Sequence, residues 1–137
     1  MITINATKEE FVNLVNGLFA IQELKGKKFS LVVSKNITIL RNELKELEEF
    51  ARPSEEFLTL AHKVNAIADE DTKDSKERID KLEEENKELV KTRKKQMDEV
   101  SERIKEEIAI DLHSISENIL PEDITAKQIN QIQKIIE

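Results

Sequence analysis

Between residues 33 and 68, apolar positions recur at alternating steps of four and three. Val33, Leu40, Leu47, Ser54, Ala61 and Ala68 share one seam position, and Ile37, Leu44, Ala51, Leu58 and Asn65 the other. That spacing predicts a helix packed side by side on a neighbour at a shallow angle. Phe50, Phe57 and Val64 flank the seam and widen it into a globular contact rather than a bare two-stranded one. Pro53 cannot donate to the Glu49 carbonyl, so a kink or short break is expected at residues 49–53. A fresh start at Pro53-Ser54-Glu55-Glu56 is the other reading, because proline and acidic residues suit a first helical turn.

A second stripe follows: Ile79, Leu82, Asn86, Leu89/Val90, Arg93, Met97, Val100 and Ile104. The helical period holds, but Asn86 and Arg93 are polar. From Asp69 to Glu107, 26 of 39 residues are charged, so this arm has one thin apolar face and a solvated remainder. At ~1.5 Å per residue the two arms match at roughly 50 Å each. The polar connector Asp69–Ser75 sits between them. The fold expected is therefore mainly α: a long antiparallel, coiled-coil-like helical hairpin over 29–107, with its tip near 69–75.

The ends supply a base. Ile2 and Ile4 alternate, as do Ile108, Ile110 and Leu112, so a small two-stranded β element is expected to join the chain's two ends. Thr7 and Glu10 fit a capping box opening a helix with Phe11, Leu14, Val15, Leu18 and Ile21 on one face. Gly26, among Lys25, Lys27 and Lys28, is expected to end that helix in a left-handed conformation. After the Leu120-Pro121-Glu122-Asp123 turn, Thr125 and Gln128 form a second capping box. Ile129, Ile132 and Ile135/Ile136 give the last helix its buried side. One domain is expected over 1–137, with residues 1–28 and 108–137 at the base of the hairpin.

Composition narrows the chemistry. Aromatics are 4%, glycines two and cysteines none, which excludes disulfides and thiolate metal sites and fits a reducing compartment. No apolar run approaches a membrane span, and the start lacks a leader pattern, so a cytoplasmic protein without a membrane partner is expected. The net charge of −7 argues against nucleic acid as a partner. His62 and His113 have no zinc-ligand spacing around them. Asp69, Asp71 and Asp74 fail as a calcium loop, because the sixth and twelfth positions are Asp74 and Asp80 instead of glycine and glutamate. No phosphate-binding glycine loop or nucleophile–base pair is present. The expectation is a non-enzyme without cofactor or metal.

One cluster suits an anion. Lys27, Lys28, Lys35 and Arg41 are basic in an acidic chain, Lys28 and Lys35 share a helix face, and Asn36 lies beside the seam. Ser30, Ser34 and Thr38 are interleaved with them, and lysine as point charge with Asn36 or a serine as donor would take a nucleotide or phosphate. Set against this, the lysines solvate a helix edge and Asn36 fixes register in an oligomeric seam.

The run Leu24-Lys25-Gly26-Lys27-Lys28-Phe29-Ser30-Leu31, then Lys35-Asn36, and the ending Leu120-Pro121-Glu122-Asp123-Ile124-Thr125 resemble a class of short phage and prophage helical proteins. There an "LKGK" turn precedes a long helix, a charged hairpin follows, and an "LPEDLT"-type turn opens a terminal helix. The resemblance implies a phage origin and a host-cytoplasm setting, and supplies no activity. The charged arm is also similar in topology to the arms of prefoldin-type chaperones. The function expected is that of an interaction or scaffold protein self-associating through the hairpin. The polar seam positions Asn65, Asn86 and Arg93 and the thin second face motivate it, with further copies of the chain and a protein as partners. A binder sequestering a small anionic nucleotide signal of host defence, and a holdase-like chaperone, are the alternatives.

Overall fold

A computed structural model describes residues 1–137. The elements in order are β1 (Ile2–Thr7), α1 (Lys8–Ala20), α2 (Lys27–Glu43), α3 (Lys45–Ala51), α4 (Glu55–Glu70), α5 (Ser75–Glu85), α6 (Lys87–Arg103), β2 (Glu107–Leu112) and α7 (Ala126–Gln131). Short 3-10 turns cover Glu117–Ile119 and Gln133–Ile135. The fold is mainly helical with one small sheet. Its contacts group the chain into two compact units, Met1–Glu48 with Glu102–Glu137, and Glu49–Ser101.

The first unit holds the core. β1 and β2 pair antiparallel with Ile2 opposite Leu112 and Ile4 opposite Ile110, so the alternating isoleucines share one face. Phe11, Leu14, Val15, Leu18 and Ile21 from α1 meet Phe29, Val33, Ile37 and Leu40 from α2 over that sheet. Ile115, Ile132 and Ile135 close the cluster from the C-terminal segment, each with no exposed surface. The first amides of α1 are satisfied from outside the helix: Lys8 and Glu9 N–H donate to the carbonyls of Glu106 and Ile104 at 3.0 and 2.9 Å. Thr7 Oγ1 accepts from Glu10 N–H at 3.1 Å, while the Glu10 carboxylate turns to Lys134 at 3.3 Å. Only half of the expected N-terminal capping box therefore forms. The Thr125–Gln128 box forms completely, with bonds of 2.9 and 3.2 Å.

Two local expectations need correction here, and the break expected at Pro53 forms. α1 stops at Ala20, and Gly26, at φ 142°, precedes α2 rather than capping α1. The terminal helix ends at Gln131. Beyond it the chain pairs with Ile115, whose N–H donates to the Ile135 carbonyl at 2.7 Å and whose carbonyl accepts from Glu137 N–H at 2.9 Å. The long first arm is three helices. At Leu44 the path only bends, since Leu44 N–H still reaches the Leu40 carbonyl at 2.9 Å. At Pro53 it breaks, and Ser54 restarts it by accepting from Phe57 N–H at 3.1 Å.

The break resets the helical phase in the second unit. After it the inward stripe is Phe57, Leu60, Ala61, Val64 and Ile67, while Leu58, Asn65 and Ala68 point outward. A seven-residue count carried through Pro53 therefore misplaces α4 by part of a turn. The contacts between α4 and the following helices run antiparallel. Ser75 Oγ donates to the Ile67 carbonyl at 3.2 Å, and Arg78 pairs with Glu70. Further along, the Arg93 guanidinium lies 5.6 Å from the Phe57 ring centroid. Asp71, at φ 47°, and Thr72 make the connecting turn, with Thr72 N–H donating to Ser75 Oγ at 2.9 Å.

Candidate interaction surface

The basic cluster lies on α2 without its amide. Lys27, Lys28, Lys35 and Arg41 are exposed. Asn36 is fully buried, and both ends of its side chain are engaged with one residue. Its Nδ2 donates to the His113 carbonyl and its Oδ1 accepts from His113 N–H, each at 2.8 Å. The side chain thus holds the backbone where it leaves β2. This corrects its reading as a ligand donor or an oligomer-register residue: the amide lies wholly inside the fold, where neither an anion nor a second copy reaches it, and it is taken up by His113.

The remaining polar candidates are also local. His62 is exposed, and His113 is half-buried. Asp111 accepts a hydrogen bond from Thr3 Oγ1 across the sheet. At the turn, the hydroxyl of Thr72 donates to Asp74 and holds its carboxyl below the ordinary value of 3.8, with Arg78 nearby adding to the effect. The Arg78 guanidinium is raised by its bond to Glu70. No group of three or more His, Cys, Asp or Glu side chains is placed to hold a metal ion.

Of the three polar seam residues, Asn65 is exposed and leaves the seam. Asn86 donates to the Leu82 carbonyl of its own helix at 2.9 Å and marks the joint between α5 and α6. Arg93 crosses to the other arm. Its Nη1 donates to the Ala51 carbonyl and to Gln96 Oε1, both at 2.8 Å. Gln96 Nε2 reaches the Phe50 and Arg52 carbonyls at 2.6 and 3.0 Å. Together they cover the carbonyls that α3 leaves open before Pro53. Gln96 was not singled out from the sequence. Its position three residues beyond Arg93, on the same helix face, is the signal that would have found it.

What this unit leaves open is its apolar stripe. Between Glu49 and Ser101 only Leu60 and Ser75 are buried, and α6 has no buried residue. Ile79, Leu82, Leu89, Val90 and Val100 are half-buried, and Met97 is 40% exposed. A shallow groove of about 420 Å³ runs between Phe50, Phe57, Leu89 and Gln96. The charged positions of α5 and α6, among them Glu84, Glu88, Lys91 and Lys95, are exposed. Elsewhere, Gly17 brings α1 against the backbone of Gln131, beside an amide-lined groove of about 450 Å³.

Comparison with protein families, curated proteins and solved structures finds no match to the chain. No helix is long and apolar enough to cross a membrane.

Proposed function

We propose that this protein is a non-enzymatic interaction scaffold that self-associates through its second helical unit. The observation that carries the reading is the half-covered stripe from Ile79 to Val100. Between Glu49 and Ser101, Leu60 is the one apolar side chain buried to the degree typical of a core. Half-buried leucine and valine gain free energy when a further helix removes the rest of their surface from water. A second copy of the chain is the occupant this reading commits to, because closed symmetric self-association is the commonest way to cover such a face. The resemblance to short phage helical proteins sets the same reading in a host cytoplasm. The anionic-ligand alternative loses the buried Asn36 as a donor, and no observation favours the chaperone alternative.

Sedimentation velocity from about 1 to about 100 µM tests the proposal. A dimer or higher species growing with concentration is expected. A monomer throughout would remove it.

A further inference from the structure

We infer that the outer edge of β1 is a docking site for an extended segment of another protein, which joins the sheet as a third strand with apolar and basic side chains alternating. This site lies in the first unit and is independent of self-association through the second.

The hydrogen-bond phase of the sheet identifies the open groups. Lys8 N–H donates to the carbonyl of Glu106, the residue directly opposite, at 3.0 Å. Opposed residues in an antiparallel pair alternate between bonded and unbonded. Ala6, Ile4 and Ile2 therefore bond to β2, while Thr3 and Asn5 turn their N–H and carbonyl groups away from it. His113 gives the same phase from the other strand, since both its backbone groups turn away from β1 to the Asn36 amide. That bracket closes one end of the outer edge of β2, and the exposed carboxylates of Glu107 and Asp111 guard the rest. β1 has no such device. From Ile2 to Thr7 it carries no charged residue, proline or glycine. The backbone groups of Thr3 and Asn5 have no partner within the chain, and both residues are exposed. An edge of this kind is a template for a further strand.

The two faces beside the edge set the chemistry of the occupant. On the core face Ile2 and Ile4 are half-buried, so apolar side chains of a third strand would cover their remaining surface. On the other face Glu107 and Asp111 make no ion pair, and Lys8 is held by Glu106 at 2.9 Å. A third strand lies two spacings, about 10 Å, from β2, so a lysine or arginine on it reaches toward those carboxylates. A second copy of this chain would instead bring the same carboxylates and a further net charge of −7 to the edge.

The probe is a peptide of about eight residues, valine alternating with lysine, titrated into the full chain with amide exchange followed by NMR. At a free concentration about ten times its Kd, exchange at Thr3 and Asn5 should slow about tenfold. Methylating one alternate set of the peptide's amide nitrogens should abolish binding and methylating the other set should not, because only one set faces β1. Asn5→Pro removes an outward N–H and no ladder bond. It should keep the melting temperature within about 5 °C of wild type and weaken binding by about tenfold or more. The methylated peptides act on the wild-type chain, so the test does not depend on that variant folding. No binding, binding that both methylated peptides retain, or binding that leaves Thr3 and Asn5 unslowed would overturn the proposal. Slowing at Thr3 and Asn5 with protein concentration alone would assign the edge to a second copy and overturn this occupant.

Discussion

Replacing Asn36 should be among the most damaging polar substitutions in the chain. The residue is fully buried, and its two 2.8 Å bonds are made to the backbone of His113, a partner that no mutation removes. Asn36→Leu keeps the side-chain size and deletes both bonds. Each bond contributes about 1 kcal/mol net, and each backbone group left unpaired costs about 1–3 kcal/mol when desolvated. His113 is half-buried, so water recovers part of that cost. A loss of about 2–4 kcal/mol follows, against a total of about 5–15 kcal/mol for a typical domain. Asn36→Asp sharpens the test. A carboxylate there still accepts from His113 N–H, but it meets the His113 carbonyl oxygen with no proton to donate. Burial and that oxygen both raise the folded-state pKa of the new carboxyl above its unfolded value. The protonated acid donates as the amide does. The stability of Asn36→Asp relative to wild type should therefore be greatest below the unfolded pKa and fall as pH rises through the folded one. Urea unfolding followed by circular dichroism reads both variants, since the chain has no Trp or Tyr to report by fluorescence. Asn36→Leu within about 0.5 kcal/mol of wild type would refute the bracket's energetic role.

Gly17→Ala should destabilise the protein by about 1–2 kcal/mol despite alanine's better helix propensity, because the new methyl would meet Gln131 Cβ and O at 3.0 Å; thermal unfolding checks the sign. Arg93→Ala should weaken the second unit by about 1–2 kcal/mol through the lost bond to Ala51 and the lost contact with Phe57. Faster amide exchange in Glu49–Ser101 would report it. The Asp74 carboxyl titrates below 3.8, so its bond to Thr72 supports the turn above that value and is lost as pH falls through the depressed pKa. A carboxyl NMR titration gives the midpoint, and Thr72→Val should move it back up.

Much of the fold follows from period and capping alone. The paired strands were readable because Ile2, Ile4, Ile108, Ile110 and Leu112 alternate, and a slip of one residue would turn one strand's set away from the core. The Thr125–Gln128 box was readable because it is local. What escaped depended on distant partners. Asn36 looks like a seam asparagine, and only the arrival of His113, far along the chain, shows what its amide is for. Asn65 and Leu58 appeared inward because the seven-residue count does not register a break of phase at Pro53. Gln96 carries no apolar signal, yet it satisfies carbonyls exposed by that break. The early end of the last helix depends likewise on Ile115 drawing the final residues into a backbone pairing.

The proposed self-association places the meeting of two copies on the half-covered stripe of the second unit. Hydrogen exchange read by mass spectrometry at about 1 and about 100 µM locates that meeting directly. Exchange is expected to slow with concentration in peptides from Ile79 to Val100, and to be unchanged in those from Met1 to Glu48. Slowing confined to the first unit, or no concentration dependence at any peptide, would contradict it.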